Sequence, residues 1–103
     1  MAQKIIWTEH ASDDLGAIVR YIARHNPDAA RNMGYGIYDR AQVLMKFPEA
    51  GSIVRELNHP DWRQVVFRAY RIVYHINRAT KTVEIVRVWH GARGDVELPK
   101  QPQ

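Results

Sequence analysis

Hydrophobic positions recur with the period of a helix in the first half of the chain and with the period of a strand in the second. A short apolar run at 4–7, "KIIW", reads as a first strand. From Thr8 onward the apolar residues fall at Ala11, Leu15, Ile18 and Ile22, spacings that gather on one helical face. Thr8 is placed to cap this helix, with Glu9, Asp13 and Asp14 toward the positive end of its dipole and Arg24 and His25 at the other. Asn26-Pro27 closes it and opens a second helix: Asn26 offers a capping oxygen, and Pro27 fits the first helical position, which needs no amide donor. The second helix carries Ala30, Met33, Ile37, Ala41 and Leu44 on one stripe. Gly34 and Gly36 each cost it about 1 kcal/mol against alanine, and a close approach of the two helices at Gly34 is the expected return. "FPEAG" at 47–51 ends the helix with Pro48 and Gly51.

Beyond this point the period changes to two. "WRQVVFR" (62–68), "YRIVYHI" (70–76) and "TVEIVRVWH" (82–90) predict three strands, with a hairpin turn at 77–81 between the last two. In the middle strand Tyr70, Ile72, Tyr74 and Ile76 share one face, and Arg71, Val73 and His75 the other. Unbroken alternation in the last strand puts Val83, Ile85, Arg87 and Trp89 on one face and Glu84, Val86, Val88 and His90 on the other. Neither of those faces is cleanly polar, so this strand is expected at the centre of the sheet, covered on both sides. The fold class is α+β: an N-terminal strand and a helical hairpin packed on a twisted antiparallel β-sheet. Residues 1–95 are expected to form a single domain, and 96–103, in the proline-bearing end of the chain, a flexible tail.

Composition narrows the possibilities without naming a chemistry. The 103 residues are of ordinary globular make-up, 46% hydrophobic and 25% charged. Cysteine is absent, which excludes disulfides and thiolate metal sites and fits a reducing, cytoplasmic location. The first ten residues hold too few apolar positions for a signal-peptide core, and no apolar run approaches a membrane span. Charge is more informative through its placement than its sum of +4: residues 1–51 hold six Lys/Arg against six Asp/Glu, and residues 52–103 nine against five. Eleven of the 15 basic residues are arginine, the side chain suited to bidentate phosphate and carboxylate contacts. The second half is therefore expected to meet something acidic, either nucleic acid or an acidic protein.

Several cationic side chains of that half are placed to converge. Arg71 and His75 share a strand face, His90 and Arg93 end the last strand in "HGAR", and Arg55, His59 and Arg63 lie in the segment leading into the sheet. Together they would make a patch able to hold a phosphodiester, with histidine available for proton transfer near neutral pH. The plainer reading is a solvated sheet face with hydrogen-bonded histidines at its ends. The five histidines show no metal-ligand spacing, and neither a phosphate loop nor a nucleophile elbow occurs, so no metal or cofactor is expected. "NHPD" at 58–61, with Glu56 nearby, reads as a base cluster or, more simply, as a turn. Trp62, Tyr70, Tyr74 and Trp89 offer faces for base stacking but fit the core better.

The run "YRIVYHI", a hairpin turn and then "VEIVRVWHGAR" resembles the C-terminal core of the RelE/ParE superfamily of bacterial toxins. "TEHASDDLGAIVRYIARHNPDAA" and the "FPEAG" turn are similar to the same proteins, so the resemblance spans most of residues 4–95. It implies the toxin of a type II toxin–antitoxin module, of the kind called plasmid stabilisation proteins, folded as a helical hairpin against a twisted antiparallel sheet. RelE-like members are ribosome-dependent, metal-independent mRNA endonucleases; on their motifs Arg71 and Arg93 fall where the catalytic arginines lie, and His90 is the candidate to stand in as general acid or base, as histidine does in some relatives. ParE-like members share the fold, lack that nuclease set and poison DNA gyrase. Here the nuclease tyrosine expected beyond the last arginine is missing, and 52–69 contains no lysine, so the ParE-like branch is favoured. Arg55, Arg63, Arg68 and His75 are then the candidate nucleic-acid- or partner-binding positions. The resemblance also implies a ParD- or RelB-like antitoxin with an acidic C-terminal segment, a toxin–antitoxin hetero-oligomer, and gyrase or the ribosome and its mRNA as target. A non-toxic corepressor that binds antitoxin or nucleic acid is the reading from a different class.

Overall fold

Thr8 fixes where the first helix begins and what it rests on. In the computed structural model, which describes residues 3–98, strand β1 (Lys4–Trp7) ends at this residue. The Thr8 hydroxyl accepts from the Ala11 N–H at 3.2 Å, as an N-cap, and donates to the Ile85 carbonyl at 2.8 Å. One side chain thus starts helix α1 (Glu9–Ala23) and fastens it to the sheet. Asn26 repeats the cap for α2 (Pro27–Gln42), its Oδ1 accepting from the Ala29 N–H at 3.0 Å, with Pro27 in the first turn as the sequence predicts. The helices approach closely at Gly34, where an added Cβ would lie 3.2 Å from Val19 Cγ2. Gly36 answers a different need, since a Cβ there would fall 2.1 Å from the Phe67 ring.

Five strands form one sheet in the order β1-β5-β4-β3-β2, with β2 at Ser52–Ile53, β3 at Trp62–Phe67, β4 at Tyr70–Asn77 and β5 at Thr82–His90. β1 pairs with β5 in parallel and every other pair is antiparallel, so the expected antiparallel sheet carries one parallel edge. β5 is central and buried along both faces, as its lack of a polar face predicts. The helices cover one side of the sheet, where Ala11, Ile37, Ala41 and Leu44 meet Val65, Ile72, Tyr74, Ile76, Val83, Ile85 and Val88.

The face assignment of β5 needs correcting. Tyr74 pairs with Ile85 but Val73 pairs with Arg87, so Val86 is an extra residue without an opposite number in β4. This β-bulge reverses the alternation beyond it. Val83 and Ile85 stay on the helix side and are joined there by Val88, while Arg87 and Trp89 move to the outer face with Arg71 and Val73. Trp89 is buried on that outer side, because the chain after β5 returns over it. A 3-10 turn at Gly91–Arg93 leads into Gly94, whose φ of 79° suits glycine. The Gly94 carbonyl then accepts from Trp89 Nε1 at 3.1 Å. The expectation of a flexible tail falls largely on 99–103, outside the described residues; before them, the Val96 N–H and the Glu97 carbonyl still bond to Glu56 and Arg87. No described helix is long and apolar enough to cross a membrane.

Tyr74 ties the connection after α2 to the core. Its ring is fully buried, and its hydroxyl donates to the Pro48 carbonyl at 2.6 Å while accepting from the Gly51 N–H at 3.0 Å. Burial pushes the phenol pKa above its usual 10.0. Gly51 must be glycine here, since a Cβ would sit 2.4 Å from the Gln64 carbonyl oxygen. Tyr74→Phe keeps the packing but strands two polar groups, so we expect a loss of about 1–3 kcal/mol in urea unfolding. Gly36→Ala, which drives a methyl into the Phe67 ring, is expected to cost about 1–3 kcal/mol as an overpacked core. Unchanged midpoints would contradict these contacts.

Candidate functional site

The outer face of the sheet is organised around Arg71. Its strand position sets it beside Val66 on β3 and Trp89 on β5, in the middle of the sheet. The guanidinium forms a fork with Glu56, at 2.9 and 3.0 Å to the two carboxylate oxygens. Its Nε donates to Gln64 Oε1 at 2.6 Å, and one terminal nitrogen also reaches the Gly94 carbonyl at 3.4 Å. Both partners of the ion pair are largely sequestered, with side chains 16% and 14% exposed. Hydrogen bonding from Arg71 holds the Glu56 carboxyl at about 2, well below the usual 4.5, against the opposing effect of burial. The second Glu56 donor is the Val96 N–H, at 2.9 Å. Arg71 is thus committed to three neighbours, and Glu56 joins the segment after β2 to the segment after β5.

A cleft of about 770 Å³ opens beside this cluster, at the end of the sheet where Arg68 and Ala69 turn β3 into β4. Gln64, Val66 and Arg71 line it from the sheet; Ser52, Ile53, Arg55 and Glu56 from the segment around β2; His90, Gly91, Gly94 and Asp95 from the end of β5. Arg68, at φ 53°, lies with its guanidinium 5.2 Å from the Phe67 ring centre and is exposed, as is Arg55. The Gly91 N–H donates to the Ala69 carbonyl at 2.8 Å, which ties the end of β5 to the β3–β4 turn.

His90 and Arg93 have defined partners. His90 Nδ1 accepts from the Ala92 N–H at 3.0 Å, capping the 3-10 turn, so the neutral ring carries its proton on Nε2. The same ring meets Tyr70 edge-on at 5.1 Å. Arg93 is exposed, with its guanidinium carbon over Trp89, 3.7 Å from the ring centre, a cation–π contact. It borders a second cleft of about 470 Å³, where Asp14, Ile18 and Tyr21 of α1 face Tyr70, Val88 and His90.

Of the seven candidates, Arg55, Arg68, Arg71 and His90 surround one cleft, and Arg93 stands next to it. Arg63 and His75 lie elsewhere. The Arg63 guanidinium donates to the carbonyls of Pro60 at 2.7 Å and Gly51 at 2.9 Å, holding the loop before β3 in place. His75 packs on Trp62 at 4.6 Å between ring centres, with Nδ1 3.1 Å from Glu84. "NHPD" is a turn: His59 Nδ1 accepts from the Asp61 N–H at 3.1 Å, and Glu56 belongs to Arg71 instead. Sequence reasoning missed Asp14 as well as this role of Glu56. Asp14 forks to Arg87 at 2.7 and 2.9 Å and accepts from the Val88 N–H at 2.9 Å, filling the edge of β5 beyond its pairing with β1. These bonds raise the Arg87 pKa. Both pairs join residues far apart in sequence, so no local spacing signals them.

Comparison with known proteins gives this fold its relatives. "Toxin RelE2" of Caulobacter vibrioides is 38% identical over 97 residues, covering 90% of this chain and 99% of that protein. Among solved structures, the chromosomal ParDE system from P. aeruginosa superimposes with a TM-score of 0.71 at 20% identity, over 86% of this chain and 96% of the other. The free E. coli toxin RelE, a double mutant, does so with a TM-score of 0.58 at 14% identity, over 91% and 88%. At such identities these two show the α+β fold alone. Residues 5–94 match the family described as the ParE toxin of the type II toxin–antitoxin system parDE. With a match of that extent, the chain belongs to the ParE toxin family of type II toxin–antitoxin systems, within the RelE/ParE superfamily.

Proposed function

We propose that this chain is a ParE-like toxin that acts on DNA gyrase and is neutralised by a ParD-like antitoxin. The observation that carries the choice of target is the state of Arg71. A guanidinium that holds a scissile phosphate needs donors free to meet it. Here the fork faces Glu56, Nε faces Gln64, and the carboxylate it would have to leave is itself largely sequestered. The missing lysines of 52–69 and the absence of tyrosine from 94–103 support the same reading. The antitoxin is supported by relatives of known structure that are toxin–antitoxin assemblies, the ParDE system and the RelBE2 complex of Mycobacterium tuberculosis. The arginine-rich outer face offers an acidic segment the exposed charges of Arg55, Arg68 and Arg93, none of which is in an ion pair among the described residues.

A RelE-like mRNA endonuclease is the second reading, favoured by the convergence of Arg55, Arg68 and His90 on one cleft with Arg93 adjoining. Pulse-labelling in the minutes after inducing the gene alone separates the two. The gyrase reading expects DNA synthesis to fail first, and Arg93→Ala to stay folded and toxic. Early failure of protein synthesis, abolished by Arg93→Ala in a folded protein, would establish the nuclease instead. No effect on either would leave a non-toxic binding protein.

The commitment of Arg71 also predicts a pH dependence. The Glu56 pKa is depressed on folding, to about 2 from 4.5. Its contribution is therefore complete above the unfolded value and is lost as pH falls from about 5 toward 2, amounting to at most about 3 kcal/mol. Urea midpoints measured across that range should fall more steeply for the natural chain than for Glu56→Gln. Parallel curves would contradict the pairing.

A further inference from the structure

Two clefts border one another around one end of the sheet. Tyr70 and His90 line both the cleft of about 770 Å³ beside Arg71 and the cleft of about 470 Å³ against α1. The first contributes Arg55 and Arg68, the second Arg93, all exposed and none in an ion pair among the described residues. Of the carboxylates that line the two clefts, Glu56 is forked to Arg71 and Asp14 to Arg87, which leaves Asp95 as the one acid outside an ion pair. The joined groove is therefore cationic along its length.

Ring faces lie along the same path. Tyr21 of α1 is 67% exposed and walls the second cleft together with Tyr70 and His90. The guanidinium of Arg93 sits over Trp89, and that of Arg68 lies 5.2 Å from the Phe67 ring centre, contacts that restrict where these long side chains point. Cations interleaved with exposed rings suit a single strand of nucleic acid, whose phosphates meet the first and whose unpaired bases stack on the second. A duplex keeps its bases stacked on one another and has no use for Tyr21, while an acidic peptide needs the arginines alone. Arg71 is already taken by Glu56 and Gln64, so a strand in this groove is held and not cut. We propose that the groove binds single-stranded DNA, with phosphates on Arg55, Arg68 and Arg93 and a base on Tyr21. The choice of DNA over RNA rests on the gyrase reading above, since a toxin acting on gyrase works beside DNA.

Fluorescence anisotropy of a labelled oligothymidylate titrated with the full chain tests it. The single strand should bind at least about tenfold more tightly than a duplex of the same length. Three phosphate contacts predict a slope of log affinity against log salt near about −2. Removing two of them, with Arg55→Ala and Arg68→Ala together, should bring that slope toward about −0.7. Tyr21→Ala should weaken binding about tenfold with the slope unchanged, and Tyr21→Phe should keep it. All three sites are exposed, and circular dichroism and the urea midpoint check that the variants fold. A chain that ignores the oligonucleotide overturns the proposal, as does a duplex bound equally well or a Tyr21→Ala variant that binds like the natural chain. Polyglutamate bound as tightly as the DNA also overturns it and assigns the groove to an acidic protein. If DNA synthesis still fails first in cells while the oligonucleotide is not bound, the proposal falls and the gyrase reading stands. An oligouridylate bound more tightly than the DNA overturns the proposal, and one that is also cut overturns the gyrase reading with it.

Discussion

The outer face of this protein depends on one ion pair. Three stretches of chain cover or cross it: β4, the segment after β2 and the segment after β5. Arg71 and Glu56 join all three, through a bidentate fork and through bonds to Gly94 and Val96. A fork between partly buried groups is worth having only when every remaining donor and acceptor is satisfied. Gln64 meets that condition for Nε, and the Val96 N–H for the carboxylate. The cleft beside them takes its walls from the segments so joined. Removing either charge would leave the other stranded and let both walls move.

The same economy of polar groups organises the rest of the molecule. Asp14 on α1 stands in for a neighbouring strand where β1 has ended, accepting the Val88 N–H while pairing with Arg87. The Thr8 hydroxyl caps the helix and binds β5 in one step, and the Tyr74 hydroxyl does the equivalent for the loop after α2. Each contact ties a helix or a loop to the central strands. The sheet is thus tied to the elements around it, with exposed Arg55, Arg68 and Arg93 around one end.

The sequence was most legible where structure is local. Thr8 and Asn26 cap as expected, Gly34 marks the helix contact, and the core stripe of α2 is the one its spacing predicts. The family resemblance read from "YRIVYHI" and "VEIVRVWHGAR" is confirmed as well. Legibility failed at the bulge of β5, because "EIVRVW" alternates without a glycine or proline to mark the inserted Val86, and every face beyond it was reversed. It failed again for the partners of arginines. Arg71 and Arg63 look alike from their spacing as free cations, yet their partners are a glutamate and two backbone carbonyls that only the tertiary fold brings near. The candidate site was thus legible as a list of cations and illegible as a pattern of which ones are free.

The central claim is that Arg71 belongs to the architecture and is not held ready for a phosphate. A double-mutant cycle of Arg71→Met and Glu56→Gln, read by urea unfolding, tests this most directly. The account predicts that each single change is strongly destabilising and that the two are coupled by about 1–3 kcal/mol. Coupling near zero, with Arg71→Met fully stable yet no longer toxic, would contradict it and return Arg71 to the chemistry.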